Sequence, residues 1–239
     1  YTCIKPFLGM REEIVTIYSD NPLFYRNEQV LGGNPLTSGS LKMEPLELLR
    51  KWRVFMKDSF SRTENGIPLV NKENVEFNLY FEADMPPYGF RTERGDRYEQ
   101  PGSLRGEIRI NNRVMNFEGK GIRDHSWEIR HIPSWGEWYA LMGYLNPGFV
   151  SCAFITAGGK VYCHGWVGRE IYDDIQNVRV EPEFSKDVLK ECRIEIETVE
   201  ETLTIDSHSV SFVNIAMGEN QGERTVRAVS YTHLTLPTN

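Results

Sequence analysis

The chain has 239 residues with 27 Lys and Arg against 34 Asp and Glu, a formal net charge of −7, and 40% hydrophobic residues. That length allows one large or two small domains with proper cores, and the mildly acidic balance with scattered basic residues argues against a nucleic-acid surface. No stretch approaches the roughly 18 uninterrupted apolar residues of a membrane-spanning helix, and four cysteines without a CxxC pair fit reduced thiols better than a disulfide scaffold or a zinc site.

In chain order, strand signals dominate. Glu44 to Met56 is the best helical candidate, with Pro45 near its start, but it also reads as a strand around Trp52-Arg53-Val54-Phe55. Residues 61–73 are polar and Gly/Pro-containing, and read as a loop. Val75 to Phe81 alternates apolar and polar residues as a half-buried strand does. Residues 84–98, with Pro86-Pro87 and alternating charges, read as a second loop. Gly102 to Val114 contains a strand that ends on the turn signal Asn111-Asn112 and returns through Val114 to Phe117. Trp135 to Tyr144, Phe149 to Ala157 and Lys160 to Val167 look like three successive strands, broken at Asn146-Pro147-Gly148 and Gly158-Gly159. Arg179 to Pro182, Cys192 to Val199 and Val210 to Ala216 continue the series. Many short strands at 8–12 residue spacing predict an all-β barrel or sandwich. Cys152 and Cys163 fall in two consecutive strands, so a disulfide across their hairpin is one arrangement the pattern allows.

The richest chemistry lies at Gly119-Lys-Gly-Ile-Arg-Asp-His-Ser-Trp-Glu128. On a strand, alternation puts Arg123, His125 and Trp127 on one face and Asp124 and Ser126 on the other. An imidazole beside an aromatic wall suits proton transfer or cation stabilisation. The same residues also suit a buried polar corner, with Asp124 accepting backbone hydrogen bonds and Arg123 pairing with a carboxylate. Downstream, Trp135, Trp138, Tyr144, Phe149 and Trp166 form an aromatic-rich stretch. Such density lines apolar ligand cavities and also fills ordinary barrels. His125, His131 and His164 lack diagnostic metal-ligand spacing, so no metal site is assigned. Neither a Gly-x-Ser-x-Gly nucleophile motif nor a phosphate-loop spacing occurs.

The run Tyr98-Glu99-Gln100-Pro101-Gly102-Ser103-Leu104-Arg105-Gly106-Glu107-Ile108, followed by Gly119-x-Gly121-x-Arg123-Asp124-His125-Ser126-Trp127, resembles the hydroxyneurosporene synthase-like superfamily, also called carotenoid hydratase-like or AttH-type. Leu41 to Val54, with Glu44-Pro45-Leu46 and Trp52-Arg53, is similar to that family's upstream domain. The resemblance implies tandem lipocalin-like antiparallel β-barrels, with residues 1–118 as part of a first domain and 119–228 as a second. It also implies that a first-barrel portion is lost before Tyr1; with no initiator Met and an adapter-like tail, the chain is expected to be a fragment truncated at both ends, with room for an additional domain beyond them. Named members hydrate a terminal C=C bond of a carotenoid, and their His-x-Trp element corresponds to His125 and Trp127. Two positions depart from the pattern: Glu128 stands where Gly is usual, and Asn146 where an acidic residue is usual.

Two functions follow as expectations. The first is binding of a lipid, isoprenoid or terpenoid in an aromatic-lined cavity, with Arg123, Trp127, Trp138, Tyr144 and Trp166 as ligand-binding residues. The second is a cofactor-independent hydratase or isomerase, with Asp124 (or Glu128) as acid, His125 as base and Trp127 facing the cation. Neither needs a metal or nucleotide cofactor, and a cytoplasmic location is expected. Val229 to Asn239 resembles the conceptual translation of a sequencing-library adapter, so this tail is expected to pack poorly.

Overall fold

The computed structural model describes residues 2–5, 10–18, 21–30, 32–34, 36–37, 39–64, 66–92, 95–128, 138–157, 160–185, 188–217 and 224–235, with only the backbone described at 2–5, 10, 91–92, 95, 127–128, 138–139, 154–157, 160–162, 188–189, 208–217 and 224–235. The chain is all-β, and its two sheets fit a lipocalin-like β-barrel fold. Among the described residues there is no helix. None is therefore long and apolar enough to cross a membrane.

Among the described residues sixteen strands follow one another: Thr2–Lys5 (β1), Met10–Ile17 (β2), Leu23–Val30 (β3), Leu41–Glu47 (β4), Lys51–Glu64 (β5), Ile67–Ala83 (β6), Tyr88–Thr92 (β7), Gly95–Ile110 (β8), Arg113–Glu128 (β9), Trp138–Tyr144 (β10), Phe149–Ala157 (β11), Lys160–Gly168 (β12), Tyr172–Ser185 (β13), Val188–Thr198 (β14), Thr202–Met217 (β15) and Arg224–Thr235 (β16). The first sheet runs β1-β2-β3-β5-β6-β8-β7, with β4 also on β5 and β9 also on β8; the second runs β10 to β16 in sequence order. The strand reading of Glu44 to Met56 prevails over the helical one. Leu41 to Pro45 pairs antiparallel with Met56 to Trp52, so these residues close a hairpin.

Much of residues 61–73 and 84–98 is strand rather than loop, although Asp84 to Pro87 lies outside the strands. They hold the β5–β6 hairpin and β7 with the start of β8. The first was hidden because the arm at Ile67 to Lys72 is exposed on both faces, so alternating hydrophobicity has nothing to report there. The predicted break at Asn146-Pro147-Gly148 is a tight turn with a cis Asn146–Pro147 bond, closed by Leu145 N–H donating to Gly148 O at 2.8 Å. Cys152 faces Gly165 and Cys163 faces Phe154 in the β11–β12 register, so the two thiols are offset and unbridged. Residues 229–235 continue β16 at the end of the second sheet's order, and their side chains lie outside the described residues.

The chain divides into two compact units. Unit 1 comprises residues 1–81, 104–118 and 209–232; unit 2 comprises 82–103, 119–208 and 233–239. In unit 1 the core is Leu23, Tyr25, Leu41, Met56, Phe60, Val75 and Phe77, flanked by Val54, Leu79 and Ile108. Each fully buried side chain of this kind contributes about 1.5–3 kcal/mol. Unit 2 has its own core, including Leu141, Val150, Trp166, Ile175, Ile194, Ile196 and Ile205. Ile194, Ile196 and the facing Leu203 and Ile205 show the strict alternation that a half-buried antiparallel pair requires.

Gly165 supports the centre of unit 2. Its φ of +152° is one that side-chain-bearing residues rarely adopt, and a Cβ there would run into the Ser151 carbonyl oxygen of β11. Gly165→Ala is expected to lower the unfolding free energy by about 2 kcal/mol through overpacking and strain. A urea midpoint within experimental error of the wild type would contradict this close approach.

Candidate functional site

Arg123, Asp124 and His125 lie on β9, and β9 pairs with β8. Alternation along both strands sorts their neighbours into two faces of unit 2. On one face the Arg123 guanidinium carbon stands 4.7 Å from the Tyr98 ring centroid, and the His125 ring centroid lies 5.6 Å from the same ring. Arg123 Nη2 donates to Gln100 Oε1 at 3.3 Å, while Gln100 Nε2 donates to Met85 O at 3.1 Å. Buried Gln100 thus holds the guanidinium over the ring, where cation–π attraction adds to the hydrogen bond.

Burial, and the Arg123 charge beside it, lower the His125 pKa, with Asp124 opposing. The folded protein therefore prefers the neutral imidazole. The sign follows: His125 takes up a proton less readily folded than unfolded, so stability falls as pH drops from about 6.5 through the folded value. Two-dimensional NMR should show His125 titrating below the free-imidazole range, and His125→Gln should remove that part of the acid-side loss. A midpoint at or above 6.5 would contradict the burial argument.

The other face centres on Glu99, whose side chain is 2% exposed. Its Oε2 accepts from the Trp166 indole N–H at 2.9 Å, and its Oε1 lies 2.6 Å from Arg97 Nη2. Arg97 Nε in turn donates to Asp124 Oδ1 at 2.9 Å. One charged relay therefore links β12, β8 and β9, and it gives the buried carboxylate both a cation and a neutral donor. Rings enclose it. Tyr88 lies opposite Glu99 in the β7–β8 register. The Tyr88 centroid is 4.8 Å from Phe90, 5.0 Å from Tyr172 and 6.1 Å from Trp166. Trp166 and Tyr172 meet edge-on at 4.9 Å, and Phe90 and His164 at 5.3 Å. Tyr88 hydrogen-bonds Asp174, and Tyr172 donates to Pro86 O at 2.5 Å. Burial is the main cause that pushes both phenols well above their ordinary pKa, with Glu99 adding to it. The neighbouring Cys152 thiol is pushed up to about 12, chiefly by burial, which makes it a poor nucleophile.

The candidate residues from the sequence thus separate. Arg123 and His125 come together at Tyr98. Asp124 is bound to Arg97 on the opposite face, rather than standing in an apolar setting as a proton donor. Trp166 is fully buried and belongs to the Glu99 side. Tyr144 is elsewhere in the unit and is exposed; its hydroxyl donates to Asn146 Oδ1 at 3.3 Å, and its ring lies 5.9 Å from Lys120 Nζ. Lys120 itself is held by Asp84 and Ser103, both at 2.8 Å. The side chains of Trp127, Glu128 and Trp138 lie outside the described residues, although the backbones of all three are in strands.

Sequence reasoning did not single out Arg97, Tyr88, Phe90 or Tyr172. Arg97 and Tyr88 fall in the stretch read as a loop, and Glu99 appeared only as part of a motif. A signal was present nonetheless: Tyr88 and Phe90 alternate, as do Arg97 and Glu99, and the two pairs face each other once β7 and β8 are recognised as a hairpin. Among the described residues, no group of three or more His, Cys, Asp and Glu side chains is placed to hold a metal ion.

A family model described as Domain of unknown function (DUF7064) matches residues 12–233, and the chain belongs to that family. No curated protein and no solved structure matches it.

Proposed function

We propose that this member of the DUF7064 family binds a hydrophobic small molecule of the lipid, isoprenoid or terpenoid class against the aromatic side chains of unit 2. The observation that carries this reading is the ring cluster of Tyr88, Phe90, Trp166 and Tyr172, with centroid separations of 4.8 to 6.1 Å. Trp166 is buried, while Tyr88, Phe90 and Tyr172 keep partial exposure and so offer apolar area to a ligand. Their polar ends are already engaged by Asp174 and Pro86, so shape and apolar contact dominate recognition over hydrogen bonding. Such a ligand gains about 25 cal/mol per Å² of apolar surface it loses to these rings.

A second reading, a hydratase or isomerase acting on an isoprenoid C=C bond, is supported by one observation. His125 is kept in its neutral form beside Tyr98, which suits a base that takes a proton from water. With Asp124 bound to Arg97, the proton donor that sequence reasoning assigned lies on the other face.

Mass spectrometry of organic extracts from the purified protein, followed by fluorescence titration with geranylgeraniol and oleic acid, tests both. A co-purifying isoprenoid or acyl species, and binding weakened about tenfold or more in Phe90→Ala, are the expected results. Clean extracts together with no titratable binding would overturn the reading. Turnover lost in His125→Gln with binding spared would favour the enzyme.

A further inference from the structure

The register across β10 to β13 lays one aromatic row over unit 2. Tyr144 is opposite Phe149, Phe149 opposite Gly168, and Gly168 opposite Tyr172, so these residues share a face. Trp166, two residues before Gly168, shares it too. A Cβ at Gly168 would lie 3.1 Å from both the Met85 sulfur and the Trp166 ring, so those groups fill the row between Phe149 and Tyr172. That span is two interstrand steps, roughly 10 Å. At the end away from Tyr172 the row meets a polar trio. Lys120 Nζ donates to Asp84 Oδ2 and to Ser103 Oγ, both at 2.8 Å. Ser103 Oγ donates to Asp84 Oδ1 at 3.0 Å and lies 3.2 Å from Oδ2. The same ammonium stands 5.9 Å from the Tyr144 and the Phe149 ring centroids. An exposed ion pair ordinarily gains little, because fixing a long side chain costs what the attraction returns. Here two polar partners and two rings fix Lys120 at the end of an apolar row.

We infer that Lys120, Asp84 and Ser103 form the subsite for the hydroxyl end of a lipid alcohol, whose apolar chain lies along the row towards Trp166 and Tyr172. The subsite presupposes the apolar ligand proposed above for the rings of unit 2, and it gives that ligand's head a chemistry. Charge selects the head. Lys120 and Asp84 neutralise one another and Ser103 is neutral, so the trio presents no net charge. A ligand carboxylate would meet Asp84, and a ligand ammonium would meet Lys120, each a like charge that costs affinity. A hydroxyl meets no such opposition, because it both donates and accepts. The trio supplies both counterparts. Among the described residues the ammonium spends two of its three N–H groups, on Asp84 and Ser103, and Asp84 Oδ1 accepts from Ser103 alone. Lys120 is 37% exposed and Asp84 31%, which leaves the third N–H and a carboxylate lone pair within reach of a ligand.

Fluorescence titration of the full chain at neutral pH, with geranylgeraniol, geranylgeranoic acid and geranylgeranylamine, tests it on one tail with three heads. The wild type is expected to bind the alcohol about tenfold more tightly than the acid or the amine, the worth of about one net hydrogen bond. Lys120→Gln leaves Asp84 without its cation and should bring the amine level with the alcohol or above it. Asp84→Asn leaves Lys120 without its anion and should do the same for the acid. Both side chains reach the surface, so both variants should melt with the wild type. A trio that only braces β8 against β9 would weaken all three ligands alike in these variants, and that result overturns the inference. So does a wild type that ranks the three heads equally, or one that favours the acid or the amine. In each of those cases, a loss of all three ligands in Phe90→Ala leaves the ring-cluster reading standing. Binding of none of the three overturns that reading, and the subsite with it.

Discussion

Replacing Trp166 with Ala is expected to lower the unfolding free energy by about 3–5 kcal/mol, at the upper end for single substitutions. Two losses combine. The side chain is fully buried in unit 2, so truncation leaves a ring-sized cavity between Tyr88 and Tyr172. Glu99 also loses the indole donor 2.9 Å from its Oε2, and a buried carboxylate oxygen stripped of a partner costs about 1–3 kcal/mol. Trp166→Phe separates the two, since it fills most of the cavity yet donates no hydrogen bond. It should cost the hydrogen-bond share alone, and combining it with Glu99→Gln should give less than the sum of the single effects. Urea unfolding at constant slope measures both variants. A Trp166→Ala midpoint within 1 kcal/mol (about half a typical core truncation) of the wild type would mean that this ring is not the floor of the cluster.

The relation between sequence and structure differs from element to element. Phe149–Ala157 and Lys160–Gly168 were legible almost residue for residue, because each is bounded by Gly or Pro and carries β-branched and aromatic residues. The turn after β8 was equally legible. Asn111 sits at φ +51°, which Asn tolerates, and its side chain also bonds Glu73. What failed was the exposed arm at Ile67 to Lys72, since periodicity reports burial and that arm has none, together with β7, where Pro86-Pro87 and dense charges masked the alternation of Tyr88 and Phe90. The site shows the same division. Alternation along β9 put Arg123 and His125 on one face, and both do meet Tyr98. Nothing local showed that the opposite face would meet Arg97 and Glu99, because Arg97 is 27 residues from Asp124 and Glu99 is 67 from Trp166. The cation of Glu99 is only two residues away at Arg97, but its indole donor comes from β12 and is visible only once the fold is known. Family membership does not close that gap either, since the family's description carries no function.

Unit 1 holds the second large effect. Arg11 and Glu13 alternate to the same face of β2, where both side chains are fully buried and Arg11 Nη2 lies 2.7 Å from Glu13 Oε1. The pair fastens the start of β4: Arg11 Nη2 donates to Leu41 O at 2.5 Å and Leu41 N–H to Glu13 Oε1 at 3.3 Å. Tyr25 donates to Glu13 Oε2 at 3.5 Å, and its phenol is pushed up to about 12, mainly by burial, with Asp58 and Glu13 adding to it. Glu13→Ala is expected to cost about 3–5 kcal/mol, because it leaves the Arg11 guanidinium buried without its counter-charge. Replacing both partners at once, as Arg11→Met/Glu13→Leu, should cost far less than either single change. Desolvating two charges consumes most of what their attraction returns, so a well-packed apolar pair of similar volume recovers part of what the single change loses. The limit on that recovery is Leu41, whose N–H and carbonyl lose their side-chain partners in the double variant at about 1–3 kcal/mol per group left unpaired. A double variant as unstable as Glu13→Ala would therefore show that the pair serves chiefly to hold β4, and that its charges are secondary to its hydrogen bonds.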